Sequence, residues 1–306
     1  MQLEPHHNVV IYALPGGDGF RYCHQEDFGA SHNLDVSNPA FIARPYSDAV
    51  PMVCIKAEVD RSFQFEEVFL PLKENTLQIQ TEKEVYVKMV MHARDAASAA
   101  DGKVVLSRIK DQHFGRFDVV QSLKHLREKF PDALVYLLHT EAYGTWMGAT
   151  PEVLLSQEGA DFVTMALAGT KWNDEPFEQK EFDEQMLVTK DILEILSEVA
   201  VEVGDVQESK FGELSHLRTM IRWQSPDTMI DFAQRLHPTP AVCGYPRPMA
   251  KETIGALELH NRSLYTGYLG FVKPRESSSL FVNLRCIQLF HDRFWKYAGG
   301  GINADS

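Results

Sequence analysis

The final part of the chain constrains the fold most, because it consists of strand-like stretches with little else between them. Three such stretches, separated by short turns, are predicted between residues 264 and 302. Strands that follow one another through short turns pair antiparallel, whereas a parallel pair needs a long crossover connection. Helical patterns are mixed among the earlier strands, so the sequence favours an antiparallel α+β fold over a doubly wound parallel sheet.

Helices and strands are both predicted in the rest of the chain. Helices are expected at 81–101, 118–130, 177–201, 227–236 and 247–259. The first of them has capping-box spacing between Thr81 and Glu84. Strands are expected at 103–108, 133–139, 161–168 and 210–220, with a turn at 148–151.

The first 75 residues differ from the rest in carrying turn signals and short alternating stretches such as 52–55. The glycine-rich piece at 16–19 lacks the Lys-Ser/Thr pair of a phosphate-binding P-loop and the G-x-G-x-x-G spacing. It is therefore predicted to be a hairpin turn.

Composition excludes several classes of protein. The net charge of −13 argues against sequence-independent nucleic-acid binding, which needs a basic face. No apolar run approaches the roughly 18 residues of a membrane span, and residues 1–10 do not look like a signal peptide. The four cysteines have no C-x-x-C spacing and are expected to be free thiols. We expect a cytoplasmic protein with no membrane contact.

Each candidate site residue, taken alone, has an ordinary structural explanation. Lys103 opens a strand, where a lysine is usually solvated, and Glu152 follows a turn proline. Glu181 and Glu184 lie three apart on a highly charged helix, where ion pairs with neighbouring lysines are common. Arg285 lies in a strand-like segment, where an arginine at the edge of a sheet commonly extends its charged end into solvent.

Taken together and in order, five segments resemble the chorismate-utilising enzymes, a family that includes isochorismate, salicylate, anthranilate and aminodeoxychorismate synthases. The segments are GKVVLSR at 102–108, GATPE at 148–152, AGT at 168–170 leading to KEFDE at 180–184, LHPTPAVCG at 236–244, and VNLRC at 282–286 leading to AGGGI at 298–302. Weaker agreement occurs at 216–219 and 265–270. The resemblance covers about residues 80–306, and five ordered motifs are far more specific than any one of them.

The resemblance implies one large α+β unit, with large antiparallel β-sheets, helices packed outside and the active site in a cleft. We accordingly divide the chain into an N-terminal segment of that unit (1–76) and a chorismate-binding catalytic domain (77–306). The chain departs from the family in two places. Gln185 stands where the family usually has histidine, and the chain ends at Ser306, before the helix in which relatives carry further magnesium carboxylates and a substrate-binding lysine.

Two features choose among the relatives. Family members that use water as the nucleophile resemble this chain in having a lysine at the Lys103 position, whereas ammonia-using members have glutamine there. A lysine can accept a proton from the attacking water, and glutamine cannot act as a base. The segment 237–240 is similar to isochorismate synthases rather than salicylate synthases. No glutamine amidotransferase subunit is therefore expected.

The resemblance also implies roles for individual residues. Lys103 is expected to deprotonate the water that attacks ring carbon 2 of chorismate, while Glu152 protonates the departing 4-hydroxyl. Mg²⁺ is the expected cofactor, held by Glu184 with Glu181, because carboxylates three apart on a helix can face one cleft.

The expected substrate-binding groups are the Arg285 guanidinium and the backbone N–H groups of Gly169, Thr170 and Gly301. Such groups are needed because chorismate is a dicarboxylate and the protein as a whole is acidic.

Three alternatives remain open at this point. A salicylate synthase would make isochorismate and then eliminate pyruvate, and a chorismate-binding protein would show impaired turnover. An unrelated acidic globular protein would require five accidental matches. The sequence leaves undecided the oligomeric state and whether isochorismate feeds menaquinone or siderophore biosynthesis.

Overall fold

Two antiparallel sheets packed face to face form the framework of the protein. The computed structural model describes residues 7–25, 38–56, 61–63, 71–74, 80–273 and 276–306. Within these ranges the helices are Lys83–Ala99 (α1), Val119–Lys129 (α2), Gln179–Ile195 (α3), Met229–Leu236 (α4) and Arg247–Leu257 (α5).

The strands of the first half are Asn8–Ala13 (β1), Arg21–Gln25 (β2), Ala40–Arg44 (β3), Val53–Lys56 (β4), Arg61–Ser62 (β5), Lys103–His113 (β6), Leu134–Thr140 (β7), Gly144–Thr150 (β8) and Val153–Glu158 (β9). The strands of the second half are Asp161–Trp172 (β10), Val201–Val203 (β11), Gln207–Phe211 (β12), Leu214–Gln224 (β13), Gly244–Tyr245 (β14), Tyr268–Val272 (β15), Ser278–Val282 (β16), Cys286–Leu289 (β17) and Arg293–Ile302 (β18).

Both sheets mix early and late strands. The first has the order β14-β6-β18-β17-β8-β7-β1-β2-β5, and the second has β11-β13-β10-β9-β16-β15-β3-β4, with β12 paired to β13. Every pairing between the described strands is antiparallel, as consecutive strands with short turns require. The α+β fold class, with antiparallel sheets and helices outside, is confirmed.

Apolar side chains of both sheets meet in a central layer that includes Tyr12, Phe41 and Trp146. On the outer face of the second sheet, α3 and α4 cover a cluster around Phe162. On the outer face of the first sheet, α2 and the α1–α5 pair cover two further clusters. The helices thus shield the outer apolar faces of the sheets from water. This burial of apolar surface is the main contribution to the stability of the fold.

Several element predictions are confirmed, and others are wrong. The five helices and the hairpin turn between β1 and β2 are present, as is the strand at 53–56. The prediction of a turn at 148–151 is wrong, because residues 148–150 continue β8. Four strands, not three, occupy 268–302. The Thr81 capping box is also wrong, because α1 is capped at Glu82 and the Thr81 side chain is buried.

The four cysteines are free and buried, as expected. Among the described residues, the helices are too short or too polar to cross a bilayer.

Candidate active site

All eight residues singled out in the sequence line one cavity of about 540 Å³. They come from both sheets and from α3: Lys103, Glu152, Gly169, Thr170, Glu181, Glu184, Arg285 and Gly301. The folded chain therefore brings together residues that are separated by up to two thirds of its length. A cavity of this size is typical of a small-molecule site.

Lys103 is a buried lysine. It is the first residue of β6, its side chain is 6% exposed, and its Nζ lies 3.5 Å from Glu184 Oε2. The burial contradicts a solvated lysine at a strand end, since lysine is almost never fully buried without a partner. Gly301 makes the burial feasible, because a Cβ atom there would lie only 2.6 Å from Lys103 Cε.

Glu152 occupies the crossing point between the two sheets. It lies between β8 of the first sheet and β9 of the second, and its carbonyl accepts a hydrogen bond from the backbone N–H of Val282 at 2.9 Å. Burial raises the pKa of Glu152 from its ordinary value of 4.5 to about 7, although the positive charges of Arg285 and Lys103 oppose the shift. A carboxyl group with this pKa can donate a proton near neutral pH.

Arg285 projects from the tight connection between β16 and β17. Its φ of +50° lies in the left-handed region, and its carbonyl accepts a hydrogen bond from Ala149 N at 3.3 Å. The buried Asn283 fixes this connection, since it accepts from Tyr136 Oη at 2.6 Å and donates to the Leu264 carbonyl at 2.9 Å. The guanidinium faces the same cavity as Glu152.

A bulge in β10 sets the position of α3. The register of β10 against β13 shifts between Ala168 and Thr170, and Gly169 has a φ of +71°. A Cβ atom on Gly169 would lie 2.5 Å from the Glu181 carbonyl oxygen, so only glycine lets the first turn of α3 approach this closely. The close approach places Glu181 and Glu184 on the cavity wall.

The carboxylates of Glu181 and Glu184 already have partners within the protein. Glu181 Oε2 accepts a hydrogen bond from Glu178 N at 2.8 Å in a capping box, and Glu184 pairs with Lys103. In the described part of the chain, no cluster of three or more His, Cys, Asp or Glu side chains is arranged to hold a metal ion. Two carboxylates on one cavity nevertheless fit Mg²⁺, which commonly keeps several waters and takes substrate oxygens as further ligands.

The cavity wall also contains residues from the two segments of weaker agreement, 216–219 and 265–270, to which sequence reasoning assigned no site role: His216, Arg218, Tyr265 and Thr266. His216 Nδ1 lies 2.9 Å from Thr170 Oγ1, and burial together with Arg285 lowers the pKa of His216, which keeps it neutral. Residues 215, 217 and 219 of β13 are buried, so strand alternation places His216 and Arg218 on the opposite face, toward the cavity.

Gln185, the departure from the family pattern, lies outside the cavity lining. Its Nε2 donates to Thr219 Oγ1 at 2.7 Å and to Thr189 Oγ1 at 2.9 Å, and its side chain is buried between α3 and β13. These hydrogen bonds hold Gln185 against β13 and within α3.

Comparison with known proteins shows similarity to the chorismate binding enzymes. Residues 55–306 match the family described as chorismate binding enzyme. The chain is 30% identical over 240 residues to isochorismate synthase DhbC of Bacillus subtilis, covering 69% of this chain and 60% of that protein. It is 33% identical over 223 residues to the salicylate biosynthesis isochorismate synthase of Pseudomonas aeruginosa, covering 67% and 46%.

Solved structures show the same fold. The menaquinone-specific isochorismate synthase MenF from Escherichia coli superposes with a TM-score of 0.83 at 19% identity, covering 99% of this chain and 85% of that one. Anthranilate synthase component I from Streptococcus pneumoniae gives a TM-score of 0.67 at 23% identity over 79% of this chain and 57% of that one. The chain spans about half to three fifths of the length of the two relatives described above.

Proposed function

Because the chain belongs to the chorismate binding enzyme family, we propose that it converts chorismate to isochorismate by adding water at ring carbon 2 as the 4-hydroxyl leaves. One observation carries the proposal: a buried lysine and a carboxyl group whose pKa is raised to about 7 line the same cavity. This pair supplies the base and the acid that the reaction needs.

Lys103 acts as the base. Water is a poor nucleophile until it loses a proton, and the Lys103 amine accepts that proton as the oxygen attacks. Glu184, 3.5 Å from Nζ, orients the amine and stabilises the ammonium that forms. A glutamine in place of Lys103 could not accept the proton from water. The proposal therefore includes no amidotransferase subunit and no use of ammonia.

Glu152 acts as the acid. With a pKa of about 7, roughly half of the Glu152 carboxyl groups carry a proton at neutral pH. The proton is transferred to the leaving 4-hydroxyl, which then departs as water rather than as hydroxide. The two groups act on different carbons of the ring. After the step Lys103 carries one extra proton and Glu152 lacks one, and proton exchange with solvent restores both groups.

The cavity is suited to a dicarboxylate even though the protein is acidic. Its lining contains five Lys or Arg residues and three Glu, one of which is partly protonated, whereas the whole chain has a net charge of −13. The local excess of cations attracts an anionic substrate. Arg285 binds one carboxylate in a bidentate manner, and the backbone N–H groups of Gly169, Thr170 and Gly301 donate further hydrogen bonds.

Glu184 and Glu181 are the proposed ligands of Mg²⁺. When bound, the ion would neutralise negative charge on the ring carboxylate. Binding would also compete with Lys103 for Glu184, so the metal and the amine share one carboxylate.

The test is incubation with chorismate and Mg²⁺, with the products separated by chromatography. Isochorismate in equilibrium with chorismate is the expected result. Salicylate and pyruvate would reassign the chain to salicylate synthases, and an aminated product in the presence of ammonia would contradict the role of Lys103. Chorismate binding without any product would show that the chain binds but does not convert it.

A further inference from the structure

A buried ion pair lies directly behind the cavity wall. Glu258 follows α5, Arg262 lies in the next loop, and their side chains are only 3% and 2% exposed. Arg262 Nη2 and Nε donate to the two oxygens of Glu258 at 2.6 and 2.8 Å. Neither residue lines the cavity.

The pair is hydrogen-bonded to the cavity wall itself. Arg262 Nη2 donates to the Val105 carbonyl at 2.6 Å, and Nη1 donates to the Val242 carbonyl at 2.8 Å and to Thr266 Oγ1 at 3.3 Å. Val105, Val242 and Thr266 all line the cavity, and they come from three separate segments. With the two bonds to Glu258, all five N–H donors of the guanidinium have an acceptor.

Glu258 adds a fourth connection. Its Oε1 accepts from the backbone N–H of Ser107 at 2.6 Å and from Ser107 Oγ at 2.9 Å. Ser107 and Val105 lie on β6, the strand that begins with Lys103. The pair is therefore hydrogen-bonded to β6 at two residues, Val105 and Ser107, both within four residues of the proposed base.

Stability alone is a weak explanation for such a pair. A buried ion pair loses much of its Coulombic gain to desolvation, and apolar residues often replace it without loss of stability. A pair whose bonds join three wall segments has a geometric effect that apolar residues could not reproduce. The planar fork of arginine holds acceptors in fixed directions, which a lysine ammonium cannot do.

We propose that Glu258 and Arg262 are positioning residues, which set the spacing of β6, the 239–243 segment and the 263–267 turn around the substrate. The inference rests on the proposed function. It predicts that loosening the pair misplaces the base and the ring relative to each other, so that turnover falls while carboxylate binding by Arg285 persists.

The test compares Arg262→Lys with Arg293→Lys. Arg293 is a matched control: its Nη1 lies 3.3 Å from Asp111 Oδ2, both side chains are 11% exposed, and the pair joins the same β6 to β18 at the end remote from Lys103. For each variant, kcat and KM for chorismate are measured at saturating Mg²⁺, at a temperature where circular dichroism shows the folded protein, and thermal melting is recorded.

For Arg262→Lys, kcat is expected to fall at least about tenfold, because a displacement on the order of 1 Å can cost about 10²-fold in rate. KM is expected to change by less than about threefold, since Arg285 is untouched. Arg293→Lys should melt earlier with an unchanged kcat.

Equal kcat values for Arg262→Lys and the parent, whatever the melting temperature, would overturn the inference and leave the proposed function intact. A parent protein with no turnover of chorismate would overturn both. If Arg262→Lys does not fold, Glu258→Gln replaces it, because glutamine has the shape of the glutamate and keeps one acceptor. A folded Glu258→Gln protein with the parent kcat would likewise refute the positioning role.

Discussion

Replacing Glu152 by glutamine should lower the catalytic rate and, at alkaline pH, raise the free energy of unfolding. Glutamine has nearly the same shape but cannot transfer a proton, and general-acid catalysis contributes about 10²–10⁴ in rate. We expect kcat for isochorismate formation to fall by about that factor, while KM stays close to that of the parent.

The stability gain follows from the pKa of Glu152. Because folding raises this pKa from 4.5 to about 7, the folded protein binds more protons than the unfolded chain between these values. The free energy of unfolding therefore decreases as pH rises through this window, and above pH 7 the loss reaches about 3 kcal/mol. Glutamine is never charged, so the variant should recover up to this amount at pH 8 and nothing at pH 4.

The assay has two parts. Chromatographic rates for parent and variant test the acid role, and urea titrations at pH 6 and pH 8 test the stability effect. Between these two pH values the protonated fraction of Glu152 in the free protein falls about tenfold, so the contribution of the acid to kcat/KM should fall by the same factor. Glu158→Gln, at the exposed end of β9, is the control and should leave rate and stability unchanged.

Two results would refute the reasoning in different ways. A Glu152→Gln protein within twofold of the parent kcat would remove this carboxyl from the chemistry. A variant that is slow but less stable than the parent at pH 8 would show that Glu152 is held as a partnered carboxylate, contrary to the raised pKa.

Three other predictions concern the same cavity. Lys103→Gln should abolish isochorismate formation, with Lys110→Gln on the exposed side of β6 as the control; a parent-like rate by product analysis would exclude Lys103 as the base. Glu184→Gln should raise the Mg²⁺ concentration needed for half-maximal rate, and full activity of the parent in excess chelator would contradict a metal role. Gly301→Ala should lower kcat, because the added Cβ would lie 2.6 Å from Lys103 Cε. Gly300→Ala is the control and should be tolerated, because the atom nearest to its Cβ would be 4.0 Å away. Equal kcat values for the two variants would show that Lys103 does not need this space.

The sequence by itself determined the fold class and predicted a set of residues that line one cavity. Consecutive strands with short turns in the last part of the chain allow only antiparallel pairing, and the two nine-stranded sheets have that pattern. The ordered motifs identified Lys103, Glu152, Arg285 and the α3 carboxylates, all of which line one cavity. Strand periodicity is local in sequence, and the motifs are short local segments whose resemblance to the family indicated the site residues.

Only the tertiary structure decided the burial, the pKa and the hydrogen-bond partners of those residues. By itself, Lys103 is an ordinary lysine at a strand end, and it is buried because Gly301 of β18 leaves room for its side chain. The pKa of Glu152 depends on its burial and on the charges of Arg285 and Lys103, which are distant in sequence. The hydrogen bond from Arg262 to the Val105 carbonyl likewise joins segments far apart in sequence. Burial and electrostatic fields are sums over spatial neighbours, so they are defined only when the chain has folded.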